Sequence, residues 1–197
     1  MSTTFGSIES AAKHLVANKL TQGFIIEALH TYTDTEGNPL YWRIRLKHPQ
    51  TAEKIIWPFH QNMEGDFVLK EPSFSDKKPL YKLHELAKHS SDPAWIVEGE
   101  LCADKLEALG LTVTTSGGSG SANLTDWSPL KNRSIIIWPD NDEAGLNYAR
   151  QVTQQLKSLD CSIQQIDIAQ LELANKADCV DWLRENFNAK AQDVETL

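Results

Sequence analysis

The sequence predicts an α/β protein in two parts: a small α+β region with an antiparallel β-hairpin over residues 1–90, and a compact domain over residues 91–190. In the second part, short apolar runs alternate with amphipathic stretches. This alternation is typical of a mostly parallel four-stranded sheet with helices on both faces. The charges divide at the same place: residues 1–90 carry 11 Lys and Arg against 10 Asp and Glu, whereas residues 91–197 carry 8 against 17. A stretch with serines and a proline near residue 90 is the predicted boundary.

The composition excludes several classes of protein. With 197 residues, 41% of them hydrophobic and 23% charged, the chain can bury a core and is not a disordered sequence. No apolar run approaches the ~20 residues of a membrane span, and the first residues lack the pattern of a secretory signal. The three cysteines form no CxxC pair, which excludes a zinc ribbon built from cysteines and fits a reducing compartment. We therefore expect a cytoplasmic protein with no membrane segment.

The N-terminal part is predicted to contain a helix, three strands and a second helix. Residues 7–20 have apolar positions at helical spacing, with a serine as the N-cap. Residues 24–47 have the pattern of two strands joined by a turn that contains Gly, Asn and Pro. A third strand is expected at residues 53–59, with Pro58 ending it, and a short helix at residues 79–89 leads to the boundary.

The second part is predicted to contain four strands and three helices in alternation. The strands are expected at residues 94–99, 111–116, 133–140 and 162–169. The helices are expected at residues 102–110, 143–159 and 178–187. The residues after the last helix are expected to fray.

Acidic residues follow two of the predicted strands. Glu98 and Glu100 close the first strand with Gly99 between them, and Asp140 and Asp142 close the third. Because the carboxyl ends of parallel strands meet at the same edge of a sheet, these side chains are expected to lie close together. Ligands that are all oxygen suit Mg²⁺ or Mn²⁺. The alternative is that the acids stabilise helix N-termini, with Asp142 as an N-cap.

A glycine-rich loop, SGGSG at residues 116–120, lies between the second and third of these strands. Backbone N–H groups of Ser116, Gly117 and Gly118 could bind a phosphate group. The alternative is a flexible surface loop, since the segment matches no P-loop signature and lacks its lysine.

The second strand of the predicted hairpin mixes aromatic and basic side chains. Alternation places Tyr41, Arg43 and Arg45 on one face, and Lys47 follows two residues later. Stacking together with phosphate contacts is how sheets hold single-stranded nucleic acid. The alternative is that Trp42 and Ile44, on the other face, belong to the core and that the arginines simply form the solvated face.

Residues 79–187 resemble the Toprim domain of primases, topoisomerases and some nucleases. The resemblance rests on WIVEGELCADKLEALGLTVTTSGG followed by IIIWPDNDEAGLNYA, which have the order of the Toprim motifs. In these motifs the chain is most similar to the primase-like Toprim proteins of phages, plasmids and integrated elements. In those proteins a segment like LYKLHEL precedes the domain.

The resemblance implies roles for single residues. Glu98 would be the general acid/base or a metal-organising group, and Gly99 matches the glycine beside it. Asp140 and Asp142 would bind Mg²⁺ or Mn²⁺. A late segment resembles a Lys/Asp segment of phage primases, in which an acid assists the metal site, and it contains Lys176, Asp178 and Asp181.

One position departs from the family pattern. Four residues after Glu98, where many primases have an acid, this chain has Cys102. Asp104, two residues further on, and Glu100 are the candidate supporting acids in this region.

The resemblance implies Mg²⁺-dependent phosphoryl or nucleotidyl transfer on nucleic acid. The leading hypothesis is a primase-like nucleotidyltransferase in the DNA replication of a phage or mobile element. Single-stranded DNA or RNA and nucleotides would be its substrates, and a replicative helicase is a candidate partner. Two alternatives stay open: a metal-dependent nuclease that uses the same acids, and a non-catalytic module that binds nucleic acid or a replication partner.

Overall fold

The computed structural model describes residues 5–197, which divide into two compact units. The first unit contains the described residues up to Asp34 together with Asn38–Ser75, and the second contains Thr35–Gly37 and Asp76–Leu197. The units therefore separate at residue 75, whereas the sequence placed the boundary near residue 90. The reason is packing, since Leu80 and Leu86 belong to the buried core of the second unit.

The first unit is an antiparallel sheet with two helices. Its elements are α1 (Ile8–Leu15), α2 (Ala17–Leu20), β1 (Ile25–Thr33), β2 (Pro39–Lys47), β3 (Lys54–Gln61) and β4 (Phe67–Val68), with strand order β1-β2-β3-β4. The predicted N-cap is confirmed: the Ser7 hydroxyl accepts a hydrogen bond from the Ser10 N–H at 3.2 Å. Val16, between α1 and α2, shares a buried core with Ile44 and Leu46 of β2.

β3 extends further than the sequence predicted. The strand continues through Pro58 as far as Gln61. Pro58 pairs with Arg43 of β2, while β4 pairs with His60 and Gln61. In the described sheet, the strand at Pro58 therefore has a neighbour on one side only. Proline is tolerated at such an edge, because it has no N–H to donate to a second neighbour.

The second unit is built on a parallel sheet. Its elements are α3 (Leu83–Lys88), β5 (Ala94–Ile96), α4 (Glu100–Glu107), β6 (Val113–Thr114), β7 (Ser134–Ile137), α5 (Glu143–Leu156), β8 (Ser162–Gln165), α6 (Cys179–Glu185) and α7 (Ala191–Glu195). The strand order is β6-β5-β7-β8, and every neighbouring pair is parallel. The predicted fold class is confirmed. Among residues 5–197, no helix has both the length and the apolar character that crossing a bilayer requires.

Helices cover both faces of the parallel sheet. On one face, Ile96 of β5 shares a buried cluster with Tyr148 of α5. On the other, the Trp138 ring lies 6.3 Å from that of Trp95 in β5 and 5.7 Å from that of Trp182 in α6. Functional groups in such a sheet gather where the strands end, and β5 and β7 end side by side.

The C-terminal residues form a helix that the sequence analysis did not predict. Val194 of α7 is fully buried, and the Asp193 carboxylate accepts a hydrogen bond from the Lys190 N–H at 2.8 Å. The expectation of fraying is therefore wrong, because one apolar side chain attaches this segment to the protein.

Candidate active site

Glu98 and Asp140 lie just beyond the ends of two neighbouring strands. β5 ends at Ile96, two residues before Glu98, and β7 ends three residues before Asp140. The Trp138 N–H donates a hydrogen bond to the Ile96 carbonyl at 2.9 Å, so the two segments remain joined almost as far as the acids. The parallel pairing therefore places the two acidic segments at the same edge of the sheet.

Five carboxylates interact at this edge. Burial, followed by the negative charges of Glu98, Asp178, Asp142 and, least, Asp181, raises the pKa of Asp140 to about 8. Burial is the largest cause of this shift, and the neighbouring charges add to it because water screens them poorly there. We call Glu98, Asp140, Asp142 and Asp178 the acidic site. Strongly shifted carboxylates of this kind are concentrated at functional sites.

Glu98 is half-buried within this site. Burial and then the charge of Asp142 raise the pKa of Glu98, although hydrogen bonds from Ser119 act in the opposite direction. Its Oε2 atom is buried and has no hydrogen-bond partner within the described part of the chain. The Thr115 hydroxyl donates to the Glu98 backbone carbonyl at 2.7 Å and holds the residue in place. A buried carboxylate oxygen without a donor is suited to receive a proton or a cation.

Asp142 both belongs to the acidic site and caps a helix. It is the N-cap of α5, and its Oδ1 atom accepts a hydrogen bond from the Gly145 N–H at 2.8 Å. The capping alternative is therefore correct for one of its two oxygens. A Cβ atom at Gly145 would lie only 2.5 Å from the Asp140 carbonyl oxygen. The close approach of α5 to Asp140 thus depends on residue 145 having no side chain.

The late acidic segment reaches the site through Asp178. This residue is the N-cap of α6 and accepts a hydrogen bond from the Val180 N–H at 2.7 Å, while its charge acts on Asp140. Asp181 completes the capping box with Asp178 and forms an ion pair with Arg184. The charges of both Asp178 and Asp181 therefore act on Asp140, that of Asp181 less strongly, and Asp181 also serves in the capping box.

Asn141 fastens this late segment to the segment after β7. Its side-chain amide donates to the carbonyls of Leu173 at 2.8 Å and Ala174 at 3.1 Å. Its backbone N–H donates to the Ala177 carbonyl at 2.8 Å, and its own carbonyl accepts from the Lys176 N–H at 2.9 Å. These four hydrogen bonds hold the loop before α6 beside the acidic site. Asn141 was not predicted as a site residue, although its position between two aspartates was a usable signal.

Two predicted supporting acids have other partners or positions. The Asp104 carboxylate is 2.8 Å from the Lys82 ammonium and accepts a hydrogen bond from the Tyr81 hydroxyl at 2.9 Å. The structure therefore places Asp104 in an ion pair, and its predicted role at the metal site is corrected. Glu100 is 2% exposed and begins α4 directly after its N-cap, Gly99, as the helix-stabilising alternative predicts.

The start of the glycine-rich loop is anchored inside the protein. The Ser116 hydroxyl lies 2.8 Å from the Tyr148 hydroxyl and 2.7 Å from that of Ser121. The Gly117 N–H donates to the Thr115 hydroxyl at 3.0 Å. The Ser116 N–H also donates to the Tyr148 hydroxyl, at 3.4 Å. Because both N–H groups already have internal partners, the predicted phosphate-binding role of Ser116 and Gly117 and the alternative of a flexible loop are both corrected.

The loop does contribute one residue to the acidic site. Gly118 has a φ of 141°, a conformation that favours glycine, and it directly precedes Ser119. Ser119 lies beside Glu98, where its side chain and its backbone act to lower the pKa of that carboxyl group. Ser119 was not predicted as a site residue, since nothing in a run of Gly and Ser marks which serine lies near the acids.

The basic strand of the first unit is only partly available for binding. Tyr41 is 2% exposed and its ring stacks on Tyr32 with centroids 4.3 Å apart, so its predicted role as a stacking surface is corrected. The Arg45 Nε atom lies 2.6 Å from the Glu27 carboxylate, and the Lys47 ammonium lies 3.4 Å from it. One carboxylate therefore already partners two of the predicted cations.

The donors of the acidic site fit a hard divalent cation. They are all oxygens, their charges repel one another, and one oxygen of Glu98 is buried without a partner among the described residues. Within residues 5–197, no group of three or more His, Cys, Asp or Glu side chains forms a ready-made metal site. Mg²⁺ commonly keeps several waters and uses one or two carboxylates, so it fits this arrangement better than an ion that needs a full protein cage.

Comparisons with known proteins give a limited sequence match. No model of a known protein family matches the chain. A protein of Archaeoglobus fulgidus described as a UPF0292 protein is 29% identical over 85 residues, which are 42% of this chain and 67% of that protein.

Two solved structures have a similar fold. The Aquifex aeolicus primase, in a structure of its zinc-binding and RNA polymerase domains, superposes with a TM-score of 0.52 at 16% identity over 91% of this chain and 46% of that one. A DNA primase domain from Pseudomonas aeruginosa superposes with a TM-score of 0.50 at 15% identity over 89% of this chain and 58% of that one. This chain thus spans about half the length of these primase structures. The likeness shows that the chain has a primase-like fold.

Proposed function

We propose that this protein carries out Mg²⁺-dependent phosphoryl or nucleotidyl transfer on nucleic acid, in a primase-related step of DNA replication. The observation that carries the proposal is the acidic site, in which neighbouring carboxylates and burial raise the pKa of Asp140 to about 8. The primase-like fold and the resemblance of residues 79–187 to Toprim support the same reading. We infer from the resemblance that the chain is a Toprim protein of a phage or mobile element and acts in the cytoplasm.

The residues of the acidic site have separate tasks in this proposal. Asp140 and Asp142 would hold Mg²⁺, and Asp178 adds negative charge beside them. When bound, the ion neutralises the charge on the phosphoryl group that is transferred. Glu98 accepts a proton from the attacking 3′-hydroxyl group or water. Its raised pKa makes it a stronger base than an exposed glutamate.

The proposed substrates are nucleotides and single-stranded DNA or RNA, and a replicative helicase is a proposed partner. Arg43, Arg45 and Lys47 remain proposed contacts to the nucleic acid, although a phosphate would compete with Glu27 for two of them. Without Tyr41 as a stacking surface, this contact would depend mainly on charge and would weaken steeply with added salt.

Primer synthesis on a single-stranded template tests the proposed function. The purified chain, nucleotides, template and Mg²⁺ or Mn²⁺ are expected to yield labelled oligonucleotides. Glu98→Gln and Asp140→Asn should reduce the yield by about 100-fold or more, since each removes a group that acts on the reacting atoms. Glu195→Gln, which neutralises an exposed carboxylate on α7, is the matched control and should behave as wild type.

Three other outcomes would change the assignment. Shortening of the template with metal but without nucleotides, lost in Asp140→Asn, would assign hydrolysis instead of synthesis. Binding of the template without any reaction would favour a non-catalytic module. Synthesis that survives in both variants would refute the acidic site as the catalytic centre.

A further inference from the structure

A groove opens next to the acidic site, along the first turns of α5 and the loop that precedes α6. Its volume is about 810 Å³, and the side chains that line it are mainly polar or charged: Asp142, Glu143, Asn147, Arg150, Asn175 and Lys176. Asp142 belongs both to the groove and to the acidic site. The groove therefore leads directly from the proposed metal ligands to two cations.

The two cations come from different segments. Asn147 and Arg150 follow Glu143 by four and seven residues, a spacing that places all three on one face of α5. Lys176 faces them from the loop before α6. Both cations are exposed, and neither forms an ion pair in the part of the chain that the structure describes. They are thus free to contact an anion in the groove.

The backbone at Lys176 is held in a strained conformation. Its φ is 67°, in the left-handed region that lysine rarely adopts. The hydrogen bond from its N–H to the Asn141 carbonyl, with the other bonds of Asn141, holds the loop in this form. Strain of this kind is concentrated at functional sites, and a glycine would adopt this backbone more easily. Five other described residues that are not glycine share this backbone region, so the exposed ammonium group and not the strain is the feature that bears on binding.

We propose that this groove is a phosphate-binding subsite in which Lys176 and Arg150 contact the phosphate groups of the substrate. The inference rests on the proposed function, since it concerns the substrate of the acidic site. The four carboxylates of that site repel a phosphate, and the two cations provide attraction on the side of Asp142. The planar guanidinium of Arg150 suits two phosphate oxygens, and the amides of Asn147 and Asn175 add hydrogen-bond donors. The phosphates can belong to a nucleotide or to the backbone of a single strand.

Direct binding measurements test this subsite without requiring turnover. ATP is titrated by calorimetry, and a fluorescein-labelled oligothymidylate by anisotropy, both at millimolar Mg²⁺. Lys176→Gln and Arg150→Gln should each weaken binding of at least one probe by about ten-fold. Lys157→Gln, which removes an exposed cation just after α5 and outside the groove, should bind both probes as wild type does.

The pattern of losses identifies the source of the phosphate. A loss of affinity confined to ATP assigns the groove to nucleotide phosphates. A loss confined to the oligothymidylate, with a salt slope smaller by about one, assigns it to the strand. Wild-type affinity for both probes in both variants would overturn the subsite.

Lys176→Gly separates a binding role from a structural one. Glycine relieves the left-handed backbone, so the variant should unfold at a higher temperature than wild type while binding phosphate more weakly. A higher unfolding temperature with unchanged binding would overturn the role of the ammonium group. Because the readout is binding, the two proposals can fail separately. If the groove variants weaken binding but the protein synthesises no primer, only the proposed function is refuted. If the protein synthesises primers but the groove variants bind as wild type does, only the subsite is refuted.

Discussion

Asp140→Asn is expected to make the metal-free protein more stable at alkaline pH, although it removes a residue of the proposed active site. Above pH 8 the wild-type protein must hold an ionised Asp140 next to Glu98, Asp142 and Asp178. Asparagine has nearly the same shape and no charge. The substitution therefore removes repulsion and the cost of burying a charge.

The pKa of Asp140 sets the size and the sign of this effect. It is about 8 in the folded protein, compared with the ordinary value of 3.8 expected for the unfolded chain. Between these values the folded state binds more protons than the unfolded state. The wild-type free energy of unfolding therefore falls as the pH rises through this window and levels off above it. At about 1.4 kcal/mol per pKa unit, the stability that Asp140→Asn can gain over wild type is at most about 6 kcal/mol. Movement of the carboxylates and entry of water reduce this gain, so we expect about 2–4 kcal/mol at pH 8.

Urea unfolding in the presence of EDTA, followed by tryptophan fluorescence at pH 5 and pH 8, measures the effect. Asp140→Asn should be clearly more stable than wild type at pH 8, and the difference should be much smaller at pH 5. The exposed control Glu195→Gln should have the stability of wild type at both pH values. Adding Mg²⁺ should stabilise wild type more than Asp140→Asn, because binding to the folded state alone raises stability. A lower stability of Asp140→Asn than of wild type at pH 8, or an equal difference at both pH values, would show that Asp140 is not held with a raised pKa.

Three further substitutions test how the second unit is held together. Gly145→Ala should lower the free energy of unfolding by about 1–3 kcal/mol, because the new Cβ would lie 2.5 Å from the Asp140 carbonyl oxygen. Urea unfolding measures the effect. Gly120→Ala is the control, because nothing lies within 4 Å of the added Cβ at that position. Equal losses of stability in the two variants would contradict the close approach of α5 to Asp140. Asn141→Ala should lower the free energy of unfolding by about 2 kcal/mol and speed hydrogen exchange in the loop before α6, since two side-chain hydrogen bonds are lost. Unchanged exchange would show that the loop holds its place without these bonds. Arg133→Lys should cost about 2–4 kcal/mol, because the buried guanidinium donates to three backbone carbonyls that one ammonium group cannot reach together. A wild-type urea midpoint in that variant would refute this reading.

The order of helices and strands could be predicted from local patterns. Apolar runs separated by amphipathic stretches are enough to predict a parallel sheet, because the helix between two strands returns the chain to the same edge. The ends of the elements were less predictable. The pattern predicted a strand at residues 94–99, but β5 ends at Ile96. Pro58 lies inside β3, and α7 depends on the burial of Val194. Whether a segment has a neighbour or a partner surface is a property of the fold and not of the segment.

The candidate site was predictable to the same extent. Glu98, Asp140 and Asp142 were singled out because they follow strands, and parallel pairing brings strand ends together. The choice among the other acids was open. Asp104 was as good a candidate as Asp178 by sequence, but Lys82 pairs with Asp104, while Asp178 caps a helix that begins beside the site.

The sequence by itself determined the order of the main helices and strands, although not β4 or α7, and it determined that acids follow two strands of one sheet. Both follow from local periodicity and from the geometry of parallel strands. Only the tertiary structure decided which polar groups are buried and which groups they face. Tyr41 became a core residue, Ser119 turned toward Glu98, and Asn141 bonded to a loop more than thirty residues away. Burial and electrostatic interaction are sums over atoms from distant parts of the chain, so the raised pKa of Asp140 exists only once those parts have been brought together.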